Sequence, residues 1–126
     1  PTYHVMGMYA QAQPRELIEC RYFSPSYSAE AVGNLEKTGQ IPLVDIVACN
    51  TAKNKLCLFI VNRDLEEGYS IHLPEGFFAT SVSTITADNF SDRNTWESEK
   101  ITPKEITGAF KKLDICPCSI SKVYIG

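Results

Sequence analysis

Two apolar runs dominate the pattern of the chain. Leu43 to Cys49 is apolar at every position except Asp45, and Leu56 to Val61 is apolar throughout. Between them lies Ala52-Lys53-Asn54-Lys55, polar and turn-forming. Short β-branched runs that flank a polar turn predict a β-hairpin. The second run shows no alternation, so Leu56 to Asn62 reads as a central strand covered on both faces. In that reading Leu58 and Ile60 point inward, with Val47 or Cys49 across the hairpin.

Weaker signals of the same kind follow. Arg63 to Gly68 is a charged turn, and Tyr69, Ile71 and Leu73 then alternate with Ser70 and His72, the pattern of a half-buried strand. Pro74 to Gly76 turns the chain again, and Phe78 to Ala87 is rich in Thr, Ser, Val and Ile. Residues 96–106 read as extended, with Pro103 marking an edge. Further strands are expected from Phe110 to Ile115 and from Ser119 to Ile125. On the N-terminal side, Leu17 to Phe23 reads as a strand. Residues 24–42, with Pro25, Gly33, Gly39 and Pro42, read as a long loop. Before these, Val5, Met6 and Tyr9 fall at helical spacing and Pro14 stops the pattern, which predicts one short helix over residues 2–11. The expectation is an all-β fold: an antiparallel β-sandwich of seven or eight strands preceded by one short N-terminal helix, with residues 1–13 set apart from a sandwich of residues 14–126.

Composition narrows the function classes. The chain has 126 residues and is 44% hydrophobic, enough for one domain with a genuine core. Its longest apolar run falls far short of the ~20 residues a membrane span needs. Net charge is −3, and the only adjacent basic pair is Lys111-Lys112, so no basic stripe suits nucleic acid or an anionic membrane. The five cysteines, Cys20, Cys49, Cys57, Cys116 and Cys118, are an odd count. Such a set reads as free thiols in a reducing compartment, hence a cytoplasmic origin, with a secreted or periplasmic one as the alternative. A Cys49–Cys57 disulfide across the hairpin is the rival pairing. Cys116-Pro117-Cys118 looks like half a metal knuckle, but only His4 and His72 are at hand to help, and no cofactor or metal is expected.

No catalytic constellation stands out. Glu97 and Glu99 would share one strand face about 6.5–7 Å apart, with no apolar surroundings to raise either pKa. His72 beside Ser70 is ordinary strand alternation. Asn62-Arg63-Asp64 reads as a strand end whose Asn and Asp bond their own backbone, with Arg63 paired to Asp64 or Asp45. Asn89-Phe90-Ser91 fits a glycosylation sequon, a short pattern that arises often by chance. Sugar binding is the more serious alternative, and Trp96 is the candidate contact, an aromatic in a polar setting on which a sugar ring would stack.

Several segments, in order along nearly the whole chain, resemble one known family. Pro1-Thr2-Tyr3-His4-Val5-Met6-Gly7-Met8-Tyr9 resembles the segment leaving the catalytic barrel of family 51 glycoside hydrolases, the α-L-arabinofuranosidases. Ile41-Pro42-Leu43-Val44-Asp45-Ile46-Val47-Ala48 is similar to the strand that opens their C-terminal domain, and Leu58-Phe59-Ile60-Val61-Asn62-Arg63-Asp64 to their strand ending in Asn-Arg. Asn94-Thr95-Trp96 with Ile101-Thr102-Pro103, and then Cys116-Pro117-Cys118-Ser119-Ile120, resemble two later segments of that domain. The resemblance implies a C-terminal sandwich of jelly-roll type, cut from a retaining hydrolase that removes arabinofuranosyl groups from arabinose-containing polysaccharides or oligosaccharides. It implies that the catalytic carboxylates belong to the barrel, so no catalytic residue carries over to this chain. The barrel itself would be the partner, carbohydrate or a second copy a further one, and Val5, Met6 and Tyr9 would form a patch facing it. The rival readings are a free-standing carbohydrate-binding module and an interaction domain.

Overall fold

A computed structural model describes residues 2–20, 22, 26–29, 38–86 and 103–126. These form one helix, α1 (Thr2–Ala12), followed by ten strands: β1 (Pro14–Ile18), β2 (Ser26–Ala29), β3 (Thr38–Pro42), β4 (Val44–Thr51), β5 (Leu56–Asn62), β6 (Tyr69–His72), β7 (Ala79–Thr86), β8 (Lys104–Phe110), β9 (Lys112–Ile115) and β10 (Ser119–Ile125). Six strands make an antiparallel sheet in the order β1-β4-β5-β10-β7-β8, and β6 pairs with β9 in a ribbon of its own. After β5 the chain passes from the large sheet to the ribbon and back, and after β8 it does so again. The last strand thereby enters the large sheet between β5 and β7.

The β4–β5 hairpin forms as its sequence predicts. Asn54 N–H donates to Thr51 O and Thr51 N–H to Lys55 O, each at 2.9 Å, and Asn54 takes a left-handed φ of 58°. This is a three-residue loop closed by a bulge, and Asn tolerates the left-handed position better than most residues. The loop fixes the register: Leu58 opposes Ala48, Ile60 opposes Ile46, and Cys49 opposes Cys57. Leu58 and Ile60 do face inward, but the residues across from them are Ala48 and Ile46. Val47 lies on the opposite face, 43% exposed.

The core lies between the large sheet and the β6–β9 ribbon. Val44, Ala48, Leu58, Ile60, Val82, Val123 and Ile125 from the sheet meet Leu113 and Ile115 from the ribbon, with Tyr69, Ile71, Leu73 and Phe110 packed at the margin. Ile60 and Val123 are wholly buried. Burying an aliphatic side chain of this size stabilises by about 1.5–3 kcal/mol. Two layers sharing one core make a sandwich, and the large sheet stays open, with β1 and β8 as its edges.

Four element boundaries differ from the sequence reading. The first strand is Pro14–Ile18 rather than Leu17 to Phe23: Gln13, at φ 51°, turns the chain sharply out of the helix, and Pro14 sits at the first position of an edge strand, where its missing N–H costs nothing. The expected loop 24–42 contains the β2–β3 ribbon. Of the segment expected to be extended over residues 96–106, residues 96–102 lie outside the described ones; the rest forms β8, which starts at Lys104 and runs on through Phe110 rather than ending at residue 106. A bend at Lys111 then separates it from β9.

Candidate functional site

The helix sits on the outer face of the large sheet. Met8 and Ala12 are buried there, with Val5 beside them, against Ile85, Ile120, Cys49, Cys57 and Phe59. The Tyr9 ring stacks on Phe59 with centroids 4.0 Å apart and planes 12° from parallel. Positions 5, 8, 9 and 12 form the stripe a helix presents to one surface. This corrects the expected patch: Val5 and Tyr9 pack on the chain's own sheet together with Met8, and Met6 points outward, 67% exposed.

Beside the helix the same sheet face is uncovered toward the β1 edge. Val47 opposes Phe59 and Leu17 opposes Cys49, which puts both side chains on the helix side. Leu17 is 77% exposed and Tyr9 is 37% exposed. One end of this patch is closed by polar groups: Arg63 Nη2 and Tyr22 Oη each donate to Asp45 at 3.0 Å, and Ile46 N–H donates to Tyr22 Oη. The Arg63 hydrogen bond, and after it that of Tyr22, holds the Asp45 carboxyl below the usual carboxylate range. An apolar centre with a polar rim is the anatomy of a contact surface.

The Asn62-Arg63-Asp64 corner is structural, as its residue types indicate. Asn62 Oδ1 accepts from Asp64 N–H, and Asp64 Oδ1 accepts from the N–H groups of Glu66 and Glu67. Asn62 Nδ2 donates to Glu67 O and Cys116 O, tying this turn to the loop before β10. Tyr69 Oη donates to Asp64 Oδ2. That bond lowers the Asp64 pKa and pushes the Tyr69 phenol up to about 12. Arg63 pairs with Asp45.

Cys49 and Cys57 oppose each other under the helix as free, buried thiols, and Cys20, Cys116 and Cys118 are also free. Burial raises both paired thiols, Cys57 to about 12, so neither ionises readily near neutral pH. Among the described residues no group of His, Cys, Asp and Glu has a metal-binding arrangement. Lys122, on the helix side of β10, is buried, its Nζ 3.4 Å from Gln11 Oε1 and 5.3 Å from the Tyr124 ring centroid. Trp96, Glu97, Glu99 and the Asn89-Phe90-Ser91 sequon lie outside the described residues.

No family model matches the chain. Comparison with solved structures identifies the fold. The whole chain superposes on part of a crystal structure of an arabinofuranosidase with a TM-score of 0.87 and 21% identity, covering 29% of that protein. It superposes on a thermostable family 51 α-L-arabinofuranosidase from Thermotoga petrophila RKU-1 with a TM-score of 0.80 and 23% identity, again covering 29% of it. In sequence, a 68-residue stretch is 32% identical to an exo-α-(1→6)-L-arabinofuranosidase of Bifidobacterium longum, spanning 51% of this chain and 13% of that enzyme. The chain therefore has the fold of a segment of arabinofuranosidases and spans less than a third of these relatives.

Proposed function

We propose that this chain is the non-catalytic C-terminal sandwich of an α-L-arabinofuranosidase-like glycoside hydrolase, and that it packs on and completes the catalytic barrel. The observation that carries the reading is full-length superposition on 29% of an arabinofuranosidase, the proportion of an accessory domain. The uncovered patch of Tyr9, Leu17 and Val47, with Met6 on the adjoining helix surface, supplies the contact area, and the Asp45–Arg63 pair forms its polar rim. The parent's chemistry would act on arabinose-containing polysaccharides or oligosaccharides. Five free thiols favour a reducing compartment for it.

Two assays test the proposal. Incubated alone at high concentration with 4-nitrophenyl α-L-arabinofuranoside, the chain is expected to release no nitrophenol. Exchanged for the matching segment of the T. petrophila enzyme, it should yield a soluble, active hydrolase. Leu17→Asp with Val47→Asp should break that chimaera while leaving the isolated chain folded. Turnover by the chain alone, or a chimaera indifferent to the double substitution, would overturn the reading.

A further inference from the structure

At the hairpin end of the sandwich, away from the helix-side patch, lies a cleft of about 470 Å³. One wall is the β4–β5 hairpin, which contributes Asn50, Asn54 and Lys55. The other is the turn between β6 and β7, which contributes Phe77. Phe77 N–H donates to Pro74 O at 3.1 Å, and Gly76 holds the left-handed φ of 88° that this turn requires. The turn thus displays Phe77 at 44% exposure. The floor is the end of β10, fixed by Thr80 Oγ1 donating to Tyr124 O and Gly126 N–H donating to Phe78 O.

The chemistry of this lining is specific. It holds two side-chain amides, an ammonium, the hydroxyls of Thr80 and Tyr124 and an exposed aromatic, and no acidic side chain. Among the described residues neither the Asn50 nor the Asn54 amide has a hydrogen-bond partner. Each amide offers both donors and an acceptor, the complement of vicinal hydroxyls. Tyr124 is not free to stack, because Lys55 and Lys122 place their ammonium groups 5.7 and 5.3 Å from its ring centroid. Phe77 is the remaining aromatic. It also lines an apolar groove of about 320 Å³, which shares Leu56 and Ile125 with this cleft. A ligand suited to the amide-lined cleft has an apolar face for Phe77 and a hydroxyl-rich edge for the asparagines. Few ligand classes combine these, and a cationic ligand is disfavoured by Lys55.

We infer that this cleft is an oligosaccharide-binding subsite, with Phe77 as the stacking platform and Asn50, Asn54 and Lys55 as the hydroxyl-binding groups. The inference concerns the isolated chain and does not depend on docking to a barrel.

The test is a titration of the isotopically labelled chain with arabinotriose and, separately, xylotriose, followed by amide chemical shifts. Saturable shifts confined to residues near 50–56, 76–80 and 124–126 are expected from at least one of them, at millimolar affinity, about −4 kcal/mol. Phe77→Ala should weaken binding about tenfold, or 1.4 kcal/mol. Asn54→Gly keeps the left-handed turn available, so the fold is preserved, and it should weaken binding several-fold. Leu17→Ala should change nothing. Absence of shifts with both sugars, shifts centred on the apolar groove, or unaltered binding by both cleft variants would overturn the inference.

Discussion

Single residues decide which way the hairpin faces. Leu58 is buried between the layers, and truncating such a residue costs about 2–5 kcal/mol. Denaturant titration of Leu58→Ala should show a loss in that range, and Val47→Ala less than about 1 kcal/mol. The sequence could not separate these two positions. In a run that is apolar on both faces the two-residue period vanishes, so hydrophobicity carries no facing information. The information sits in the loop instead. Residues 52–54 count three, with Asn54 at the bulge, and that count pairs Leu58 with Ala48 rather than Val47. By contrast, the Asn62-Arg63-Asp64 corner was legible, because the bonds that shape the turn run from the Asn62 and Asp64 side chains to backbone N–H groups two or three residues on. The thiols make a second residue-scale prediction. All five should react with a thiol reagent in denaturant, whereas in the native protein exposed Cys116 should react first and Cys49 and Cys57 only on unfolding.

At the scale of elements, the helix and the corner turn are held by contacts that a few residues supply. Eleven residues make a helix that is marginal alone, so the stability of α1 comes from its seat on the sheet. Phe59→Ala removes the ring under Tyr9. It should speed amide exchange throughout residues 5–12 more than in β5's neighbour β10. The spacing of Val5 and Tyr9 announced the helix, but Met8 and Met6 are both apolar, and only the position of the sheet decides which is buried. The turn at Asp64 yields a pH dependence. Its pKa is lowered in the folded state, as is that of Asp45, so both favour folding above the ordinary carboxylate value near ~4. The contribution is lost as pH falls through the lowered folded-state values. Tyr69→Phe should therefore move the Asp64 titration, read by carboxyl NMR, upward toward the ordinary range.

For the molecule as a whole, alternating apolar segments and short turns announced a sandwich, and the order of motifs announced the arabinofuranosidase fold. The number of strands was harder to read. The β2–β3 ribbon lies in a stretch rich in Pro and Gly, whose composition signals a loop even where strands pair. The β6–β9 ribbon joins segments about forty residues apart, a pairing that no local pattern encodes. The open edges of the large sheet carry their own protection. β1 begins with Pro14, and β8 opens with Lys104 and Glu105, features that discourage pairing with another chain. Lys104→Val with Glu105→Val should raise the aggregation rate on mild heating, measured by light scattering, with little change in secondary structure.

The placement of β10 has a consequence for biosynthesis. Every strand flanking its slot is translated earlier, so on the ribosome β5 and β7 emerge with their facing edges unsatisfied. Until Ser119–Ile125 clears the exit tunnel, the nascent domain is two half-sheets that share an apolar face and lack the strand that joins them. Such an intermediate exposes both unpaired backbone and apolar surface, the features that recruit chaperones and seed misassembly. A stop codon between β9 and β10 would then be more damaging than the loss of a rim strand, because it removes the middle of the sheet.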